Sequence, residues 1–340
     1  QADLTVVGPD NPLAMGIVDQ FQAAGLRAWG PTQQAAQFES SKIFSQEFMD
    51  RNGIPTMQSA AFADADGAKS FAASLDGKCA VKADGLALGK GVLICNNTGE
   101  ANGAIDQIMT DRAFGEAGSS VLIQELITGM EVSLHALCDG KCAKLFPSSQ
   151  DHKRALDGDE GLNTGGMGAY SPVPFLSDEK LTEIADSVLD PWLAGCAAEG
   201  IDFRGMLYPG VMLTDDGPKV LEFNARFGDP ETQVYVTRLE NDLVDLLEAS
   251  IDGTLAGHEL RWSAQSSVCV VMASGGYPGS YEKGKVITGI ADADALPGVK
   301  VFHAGTKLGG ENVVTSSGRV LGVTALDQRL QAARDLAYEA

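Results

Sequence analysis

One short stretch of the chain aligns three polar side chains that could bind a metal ion and an anion. Glu222, Asn224 and Arg226 alternate with apolar residues, which is the period of a β-strand with one buried face. A carboxylate and an amide oxygen on one strand face are hard oxygen ligands suited to Mg²⁺. An arginine one step further suits a phosphate or a carboxylate. The alternative is a sheet edge with a merely solvated polar face, and this stretch alone leaves both interpretations open.

A second candidate is a glycine-rich loop between two short strand patterns, Ala80–Lys82 and Val92–Cys95. It holds the glycines and lysines Lys82, Gly85, Gly89, Lys90 and Gly91. Backbone N–H groups of such a loop can surround a triphosphate while the ammonium groups neutralise its charge. The spacing differs from a Walker A loop and a strand follows rather than a helix, so the pattern favours a hairpin lid over phosphates. A plain glycine-rich hairpin is the alternative.

A lysine near a helix start is a third candidate. Ser40 is predicted to cap a helix that runs through Arg51, with Gly53 just past its end. Lys42 lies in the first turn, where a cation opposes the helix dipole and needs solvent or an anion. Solvent is the default interpretation.

Two further stretches have the composition of ligand-binding loops. Asp151 is followed by three potential cations, and the long glycine-rich run 157–172 comes after them. A run of this length is either functional or disordered, and the cations before it favour function. The predicted buried strand Val121–Ile127 leads to Glu131; a strand end can pair with an adenine edge, and a nearby carboxylate can bind ribose hydroxyls.

The surrounding elements predict an α/β chain. Leu4–Asp10, a helix from Ile17 and a strand at Leu26–Trp29 form half of a doubly wound unit. Toward the end of the chain, short strands are predicted at Val286–Ile290, Val299–His303 and Val320–Thr324, before a helix from Gln328. These last elements predict a small β-rich lobe.

Composition limits the possible partners. The 340 residues carry a net charge of −21, which argues against nucleic acid or an anionic membrane as a partner. The six scattered cysteines fit a reducing cytoplasm better than a disulfide or zinc framework. The sequence has no signal peptide and no apolar run of membrane-spanning length.

Taken together, these motifs resemble a known family. The segment Val81–Gly91 resembles the lid of ATP-grasp enzymes. Within that superfamily, the segments that resemble phosphoribosylamine–glycine ligases are Val7–Pro9 with Pro12–Leu13, Ser149–Arg154, Asn163–Pro172, Glu222–Gln233 and Val301–Thr306. The resemblance runs essentially from end to end.

The resemblance implies an α/β (α+β) chain with the ATP-grasp fold. Residues 1–39 would form a partial pre-ATP-grasp, Rossmann-like domain, and residues 40–255 the ATP-grasp domain with a lid at about 59–127. Residues 256–340 would form a β-rich C-terminal domain that lacks its end. The family's first strand and glycine-rich loop would precede Gln1.

The resemblance also implies the reaction. ATP, glycine and 5-phosphoribosylamine would give ADP, phosphate and glycinamide ribonucleotide through glycyl phosphate, the second step of purine synthesis. ATP is a substrate and Mg²⁺ or Mn²⁺ the cofactor. The expected partners are these small molecules, without nucleic acid or membrane, and the expected enzyme is a cytoplasmic monomer.

Residue roles follow only by carry-over from the family. The ATP phosphates would meet Lys42, Lys82, Gly85, Gly89, Lys90 and Gly91. Adenine would meet Gln124, Glu125, Leu126 and Ile127, and the ribose Glu131. Glu222 and Asn224 would bind the metal. Glycine, the acyl phosphate and phosphoribosylamine would be surrounded by Asp10, Asp151, Lys153, Gly166, Met167, Arg226 and Asp229, with Asp151, Lys153 and Arg226 as the catalytic members.

The sequence departs from the family pattern in two further places, and two alternative functions stay open. Asp10 stands where the family usually has Glu, and the strand before Glu222 carries no acidic ligand, so Glu222 would supply both bridging oxygens. One alternative is an ATP-grasp ligase with a different acceptor, against which the segments Asp151–Arg154 and Asn163–Pro172 argue. The other is a nucleotide-binding fragment without turnover.

Overall fold

The chain forms two compact units in the computed structural model, which describes residues 2–86, 91–158 and 160–340. The first unit contains Gln1–Leu145, Glu179–Phe227 and Leu246–His258, and the second contains Phe146–Asp178, Gly228–Asp245 and Glu259–Ala340. The predicted domain boundaries rest on family resemblance, a different criterion, and stay a prediction.

The described residues form strands and helices that are numbered here in chain order. The strands are β1 (Thr5–Val6), β2 (Ala28–Trp29), β3 (Ser59–Phe62), β4 (Lys78–Ala83), β5 (Val92–Asn96), β6 (Val121–Glu125), β7 (Met130–Ser133), β8 (Ala136–Asp139), β9 (Ala143–Leu145), β10 (Gln150–Asp151), β11 (Arg154–Leu156), β12 (Glu160–Asn163), β13 (Gly168–Ser171), β14 (Arg204–Thr214), β15 (Gly217–Asn224), β16 (Ser266–Ala273), β17 (Val299–His303), β18 (Thr306–Gly309), β19 (Asn312–Thr315) and β20 (Arg319–Asp327). The helices are α1 (Asp10–Ala14), α2 (Ile17–Ala23), α3 (Gln37–Ser40), α4 (Lys42–Asn52), α5 (Ala65–Ser74), α6 (Thr98–Ile105), α7 (Asp178–Glu199), α8 (Glu231–Val236), α9 (Leu243–Asp252), α10 (Ile290–Asp294) and α11 (Leu330–Glu339).

The first unit is built on a sheet with strand order β15-β14-β8-β9, in which β7 also pairs with β14. The strands β14 and β15 are antiparallel, and the register shifts between Gly210 and Val211. Because Gly210 pairs with Glu222 and Val211 pairs with Val220, Leu221 is the extra residue of a bulge. The predicted alternation is therefore interrupted at Leu221, while Glu222 and Asn224 keep their spacing of two.

A second sheet of this unit carries the predicted lid, with strand order β3-β6-β4-β5. The buried faces of β4 and β6 pack against α5 and α6 through small and branched residues such as Ala72, Val81, Ile105 and Ile123. The loop between β4 and β5 includes residues 87–90, so the predicted contacts of Gly89 and Lys90 lie outside the described residues.

The N-terminal segment joins the same unit. Strands β1 and β2 pair in parallel, with Thr5 opposite Ala28 and Val6 opposite Trp29, as the doubly wound pattern predicts. The Trp29 ring is 1% exposed, lies 4.9 Å from the Phe227 ring, and donates its N–H to Ser250 Oγ at 3.1 Å. This segment therefore packs directly on the chain around the end of β15.

The second unit contains a five-stranded sheet with order β10-β13-β16-β20-β17. Strand β16 pairs with β20 over most of its length, and α11 covers the sheet through Ala337 and Leu336. The predicted strand Val299–His303 is confirmed as β17. Among the described residues of both units, no helix is long and apolar enough to cross a membrane.

Three sequence-based element predictions need correction. The cap of α4 is Ser41, whose Oγ accepts from Phe44 N–H, rather than Ser40. The expected strand Val286–Ile290 is reduced to a single bridge from Val286 to Val314, and a helix begins at Ile290. The run 157–172, which was expected to be a loop, is not a loop throughout, because β12 and β13 lie in it. All four residues of β12 are exposed, so no alternation of apolar and polar residues marked this strand.

Candidate active site

One cavity in the first unit is lined by six of the thirteen residues predicted to bind ATP or metal, together with two of the predicted substrate residues. Its lining includes the predicted residues Asp10, Lys42, Lys82, Gly91, Gln124, Glu222, Asn224 and Arg226. Asp10 and Lys42 begin the helices α1 and α4, and Lys82 and Gln124 lie on β4 and β6. Gly91 directly precedes β5, and Arg226 follows the two residues Glu222 and Asn224 of β15. Two lysines, an amide, an arginine and a pair of oxygen ligands therefore face one space.

The cation Lys82 is buried, with 6% of its surface exposed. Its ammonium group donates to the Leu221 carbonyl oxygen at 3.0 Å. Leu221 is the bulged residue of β15, so the bulge turns a backbone acceptor toward the lysine of the neighbouring sheet. A buried ammonium group beside Glu222 is well placed to meet a phosphate.

The start of α4 is tied to the loop that follows β4. The Asp84 carboxylate accepts from Ser41 Oγ at 3.0 Å and from Ile43 N–H at 3.2 Å, and a carboxylate is stabilised at a helix N-terminus. Lys42 Nζ donates to the Gly85 carbonyl oxygen at 2.9 Å. Gly85 has φ +151, and a Cβ there would lie 2.8 Å from Ala117 Cβ. Lys42 is thus bonded to the lid loop as well as facing the cavity.

The predicted adenine stretch is only partly at the cavity. Gln124 is buried and donates from Nε2 to Gln46 Oε1 at 2.7 Å. Glu125 N–H and Leu126 N–H already donate to the carbonyl oxygens of Gln58 and Lys78. The predicted residues Glu125, Leu126, Ile127 and Glu131 are not among the residues that line the cavity; Glu131 lies on β7, opposite Met212.

The two predicted metal ligands, Glu222 and Asn224, carry suitable donor atoms. Glu222 and Asn224 both line the cavity and offer carboxylate and amide oxygens, which suit a hard divalent cation. Asn224 Nδ2 donates to the Tyr208 carbonyl oxygen at 3.4 Å, so its Oδ1 faces away from that strand. No group of three or more His, Cys, Asp or Glu among the described residues could hold a metal. A divalent cation would therefore complete its shell with water and nucleotide phosphates.

Arg226 is held at this end of β15 by a carboxylate that sequence reasoning missed. Glu39 Oε1 lies 2.9 Å from Arg226 Nη2, and Glu39 Oε2 accepts from Ala225 N–H at 2.8 Å. Burial raises the pKa of Glu39, and the attraction of Arg226 opposes that rise. No spacing or composition signal marked Glu39.

The remaining predicted substrate residues lie in the second unit. Gly166 has φ +111, and a Cβ there would lie 2.5 Å from Pro230 Cδ. Met167 N–H donates to the His152 carbonyl oxygen at 2.7 Å. Asp151 pairs with Ala169 across β10 and β13. The Lys153 carbonyl oxygen accepts from Thr164 N–H at 2.8 Å.

One arginine that the sequence did not single out links these segments. Arg319 Nη1 donates to the Gly165 and Asp229 carbonyl oxygens, both at 2.7 Å, and Nη2 lies 2.8 Å from Asp229 Oδ2. The Tyr277 hydroxyl oxygen accepts from Gly165 N–H at 3.1 Å. Arg319 therefore fixes the glycine loop against Asp229 within the second unit.

Family sequence models match almost the whole chain. The N domain of phosphoribosylglycinamide synthetase matches residues 1–39, its ATP-grasp (A) domain residues 40–232, and its C domain residues 267–340. The chain is 47% identical to a phosphoribosylamine–glycine ligase of Vibrio cholerae over 338 residues, covering 99% of this chain and 79% of that protein.

Other relatives extend this comparison. The chain is 52% identical to the trifunctional purine biosynthetic protein adenosine-3 of Gallus gallus, covering 97% of this chain and 33% of that protein. It thus spans about a third of the length of this relative.

Solved structures agree on the fold. A phosphoribosylamine–glycine ligase from Thermotoga maritima gives a TM-score of 0.81 at 34% identity, covering 92% of this chain and 78% of that one. The biotin carboxylase domain of a Hydrogenobacter thermophilus carboxylase gives 0.76 at 17% identity, covering 100% and 73%, a likeness of fold alone. The predicted ATP-grasp fold is confirmed. The chain belongs to the phosphoribosylglycinamide synthetase family, the ATP-grasp ligases of purine biosynthesis that are also named phosphoribosylamine–glycine ligases.

Proposed function

We propose that this chain joins glycine to 5-phosphoribosylamine with ATP and gives glycinamide ribonucleotide, ADP and phosphate. The main support for the proposal is the cavity of the first unit. Lys42, Lys82 and Arg226 line the same cavity as Glu222 and Asn224. Phosphoryl transfer needs positioning and charge stabilisation more than a protein nucleophile, and this lining supplies both.

The proposed chemistry has two steps. A glycine carboxylate oxygen takes the γ-phosphoryl group of ATP, so ADP leaves and glycyl phosphate forms. The amine nitrogen of phosphoribosylamine then attacks the acyl carbon, the amine loses a proton, and phosphate leaves with the carboxylate oxygen. Lys42 and Lys82 would neutralise the ATP phosphates, and Arg226 would hold the anionic end of glycine and the acyl phosphate.

The metal assignment belongs to this proposal. Glu222 and Asn224 would hold Mg²⁺ or Mn²⁺, which when bound offsets the charge of the transferring phosphoryl group. Asp151, Lys153, Gly166, Met167 and Asp229 would contact glycine or phosphoribosylamine. Glu131 and the stretch Gln124–Ile127 would contact the nucleoside.

The remaining attributes are proposed on composition and family. A reducing cytoplasm fits the six described cysteines, all of which are free thiols, and the proposed oligomeric state is a monomer. The net charge of −21 disfavours nucleic acid and anionic membranes as partners.

The test is ADP release by this 340-residue chain with ATP, Mg²⁺, glycine and freshly prepared phosphoribosylamine, each omitted in turn. Release that requires both glycine and phosphoribosylamine is the expected result. Release with glycine and a different amine would indicate another acceptor. ATP binding without any release would reject the ligase proposal for this chain and favour a nucleotide-binding role.

A further inference from the structure

Glu39 is a buried carboxylate at the cavity that none of the proposed steps uses. It lies near the end of the short helix α3, two residues before the Ser41 cap of α4. Its side chain is 10% exposed, and the residue lines the same cavity as Arg226. A carboxylate this buried is costly unless both of its oxygens are bonded.

Both oxygens of Glu39 are bonded at the end of β15. One accepts from Ala225 N–H at 2.8 Å, and the other lies 2.9 Å from Arg226 Nη2. Ala225 directly follows the last residue of β15. A single carboxylate thus fixes both the backbone and the side chain where the strand leaves the sheet.

Two further contacts of the guanidinium group come from its own turn. Arg226 Nη2 also lies 3.4 Å from Asn224 Oδ1, and Nη1 donates to the Phe227 carbonyl oxygen at 3.2 Å. These are long, neutral contacts, whereas the contact to Glu39 is short and charged. Guanidinium groups bind anions through a rigid planar fork, so a partner that fixes the plane also fixes the direction of anion binding.

We propose that Glu39 is a positioning residue that holds the Arg226 guanidinium group in the orientation required to bind the glycine carboxylate and the acyl phosphate. The inference rests on the proposed function and adds a residue from the N-terminal segment to that site. Glu39 acts through Arg226 and does not touch the substrate.

The test is Glu39→Gln, which keeps the side-chain shape but places an amide where the carboxylate meets the guanidinium group. We expect kcat/KM for glycine to fall about 10- to 100-fold, while the Kd for ATP changes by less than about twofold. In an Arg226→Lys background the same substitution should cost less than about threefold, because lysine lacks the planar fork.

The matched control is Glu199→Gln. Glu199 also pairs with an arginine of the first unit, Arg51, at 2.8 Å, but it does not line the cavity. This control should leave kcat/KM for glycine unchanged, and melting temperatures of all variants report on folding.

Each outcome decides between the two proposals. A wild-type chain without glycine-dependent ADP release rejects the proposed function, and the role of Glu39 with it. An active wild type with a normal Glu39→Gln variant rejects only the positioning role. Equal losses of ATP binding and glycine efficiency would also reject it, because Glu39 would then support the cavity as a whole.

Discussion

Replacing Lys82 by methionine should separate ATP binding from stability. Methionine keeps most of the apolar stem of this buried side chain and removes the ammonium group that contacts the Leu221 carbonyl oxygen at 3.0 Å. Without ATP, the contacts that the ammonium group loses, that to Leu221 among them, are offset by the removal of the cost of burying a charge. We therefore expect the free energy of unfolding to change by less than about 1 kcal/mol.

With ATP, the same substitution should be costly. Loss of one charge-assisted contact to a phosphate costs about 2 kcal/mol, which is about 30-fold in Kd. At an ATP concentration about 100 times the wild-type Kd, the nucleotide stabilises the wild type by about 2.7 kcal/mol. The 30-fold weaker variant would gain only about 0.9 kcal/mol at that concentration.

The assay is calorimetric titration with ATP, together with denaturant unfolding in the presence and absence of ATP. Lys69→Met is the matched control, since Lys69 pairs with Asp106 at 2.7 Å on the surface of the lid region and should leave ATP binding unchanged. A Lys82→Met variant that binds ATP as tightly as the wild type would refute the assignment of Lys82 to the phosphates.

Three other predictions concern separate parts of the molecule. Glu222→Gln should abolish turnover at ordinary Mg²⁺, because it removes the charged metal ligand; turnover rates close to wild type would contradict that role. Burial lowers the pKa of His135 to about 3. As pH falls below about 6.5, the imidazole therefore takes up a proton in the unfolded chain but not in the folded one, and the free energy of unfolding decreases. From pH 7.5 to 5.5 this amounts to about 1.4 kcal/mol of unfolding free energy, and denaturant unfolding of His135→Gln should show a correspondingly smaller pH dependence. Arg319→Met should raise KM for glycine or phosphoribosylamine and leave the Kd for ATP unchanged, because it frees Gly165 and Asp229 within the second unit; steady-state kinetics in which neither KM rises would argue against this tether.

The sequence predicted those parts of the site that depend on local pattern. Alternation along β15 correctly placed Glu222 and Asn224 on one strand with a spacing of two, and both line the cavity. Gly53 ends α4 with φ +68, as the sequence indicated. The cap was misplaced by one residue because Ser40 and Ser41 are both good caps, and only the bond from Phe44 N–H distinguishes them.

Residues that act through distant contacts were not predictable in this way. Glu39 bonds to Ala225 across 186 positions, and Arg319 bonds to Asp229 across 90. No periodicity relates residues so far apart, and neither Glu39 nor Arg319 belongs to a recognisable local motif. The bulge at Leu221 was not predicted for a related reason. A bulge is defined by how β15 pairs with β14, and that pairing cannot be read from the sequence of β15 alone.

The packing of Trp29 has a consequence for exchanging parts between relatives. Residues 1–39 match a sequence model of their own, which invites their use as an exchangeable module. Yet the Trp29 indole is bonded to Ser250 and packed on Phe227, far along the chain. Consider a chimera in which residues 1–39 come from a relative. It would fold well only if that segment also has a tryptophan at position 29, or if positions 227 and 250 are taken from the same relative. The domain that the sequence model defines and the unit that packs together therefore have different borders in this protein.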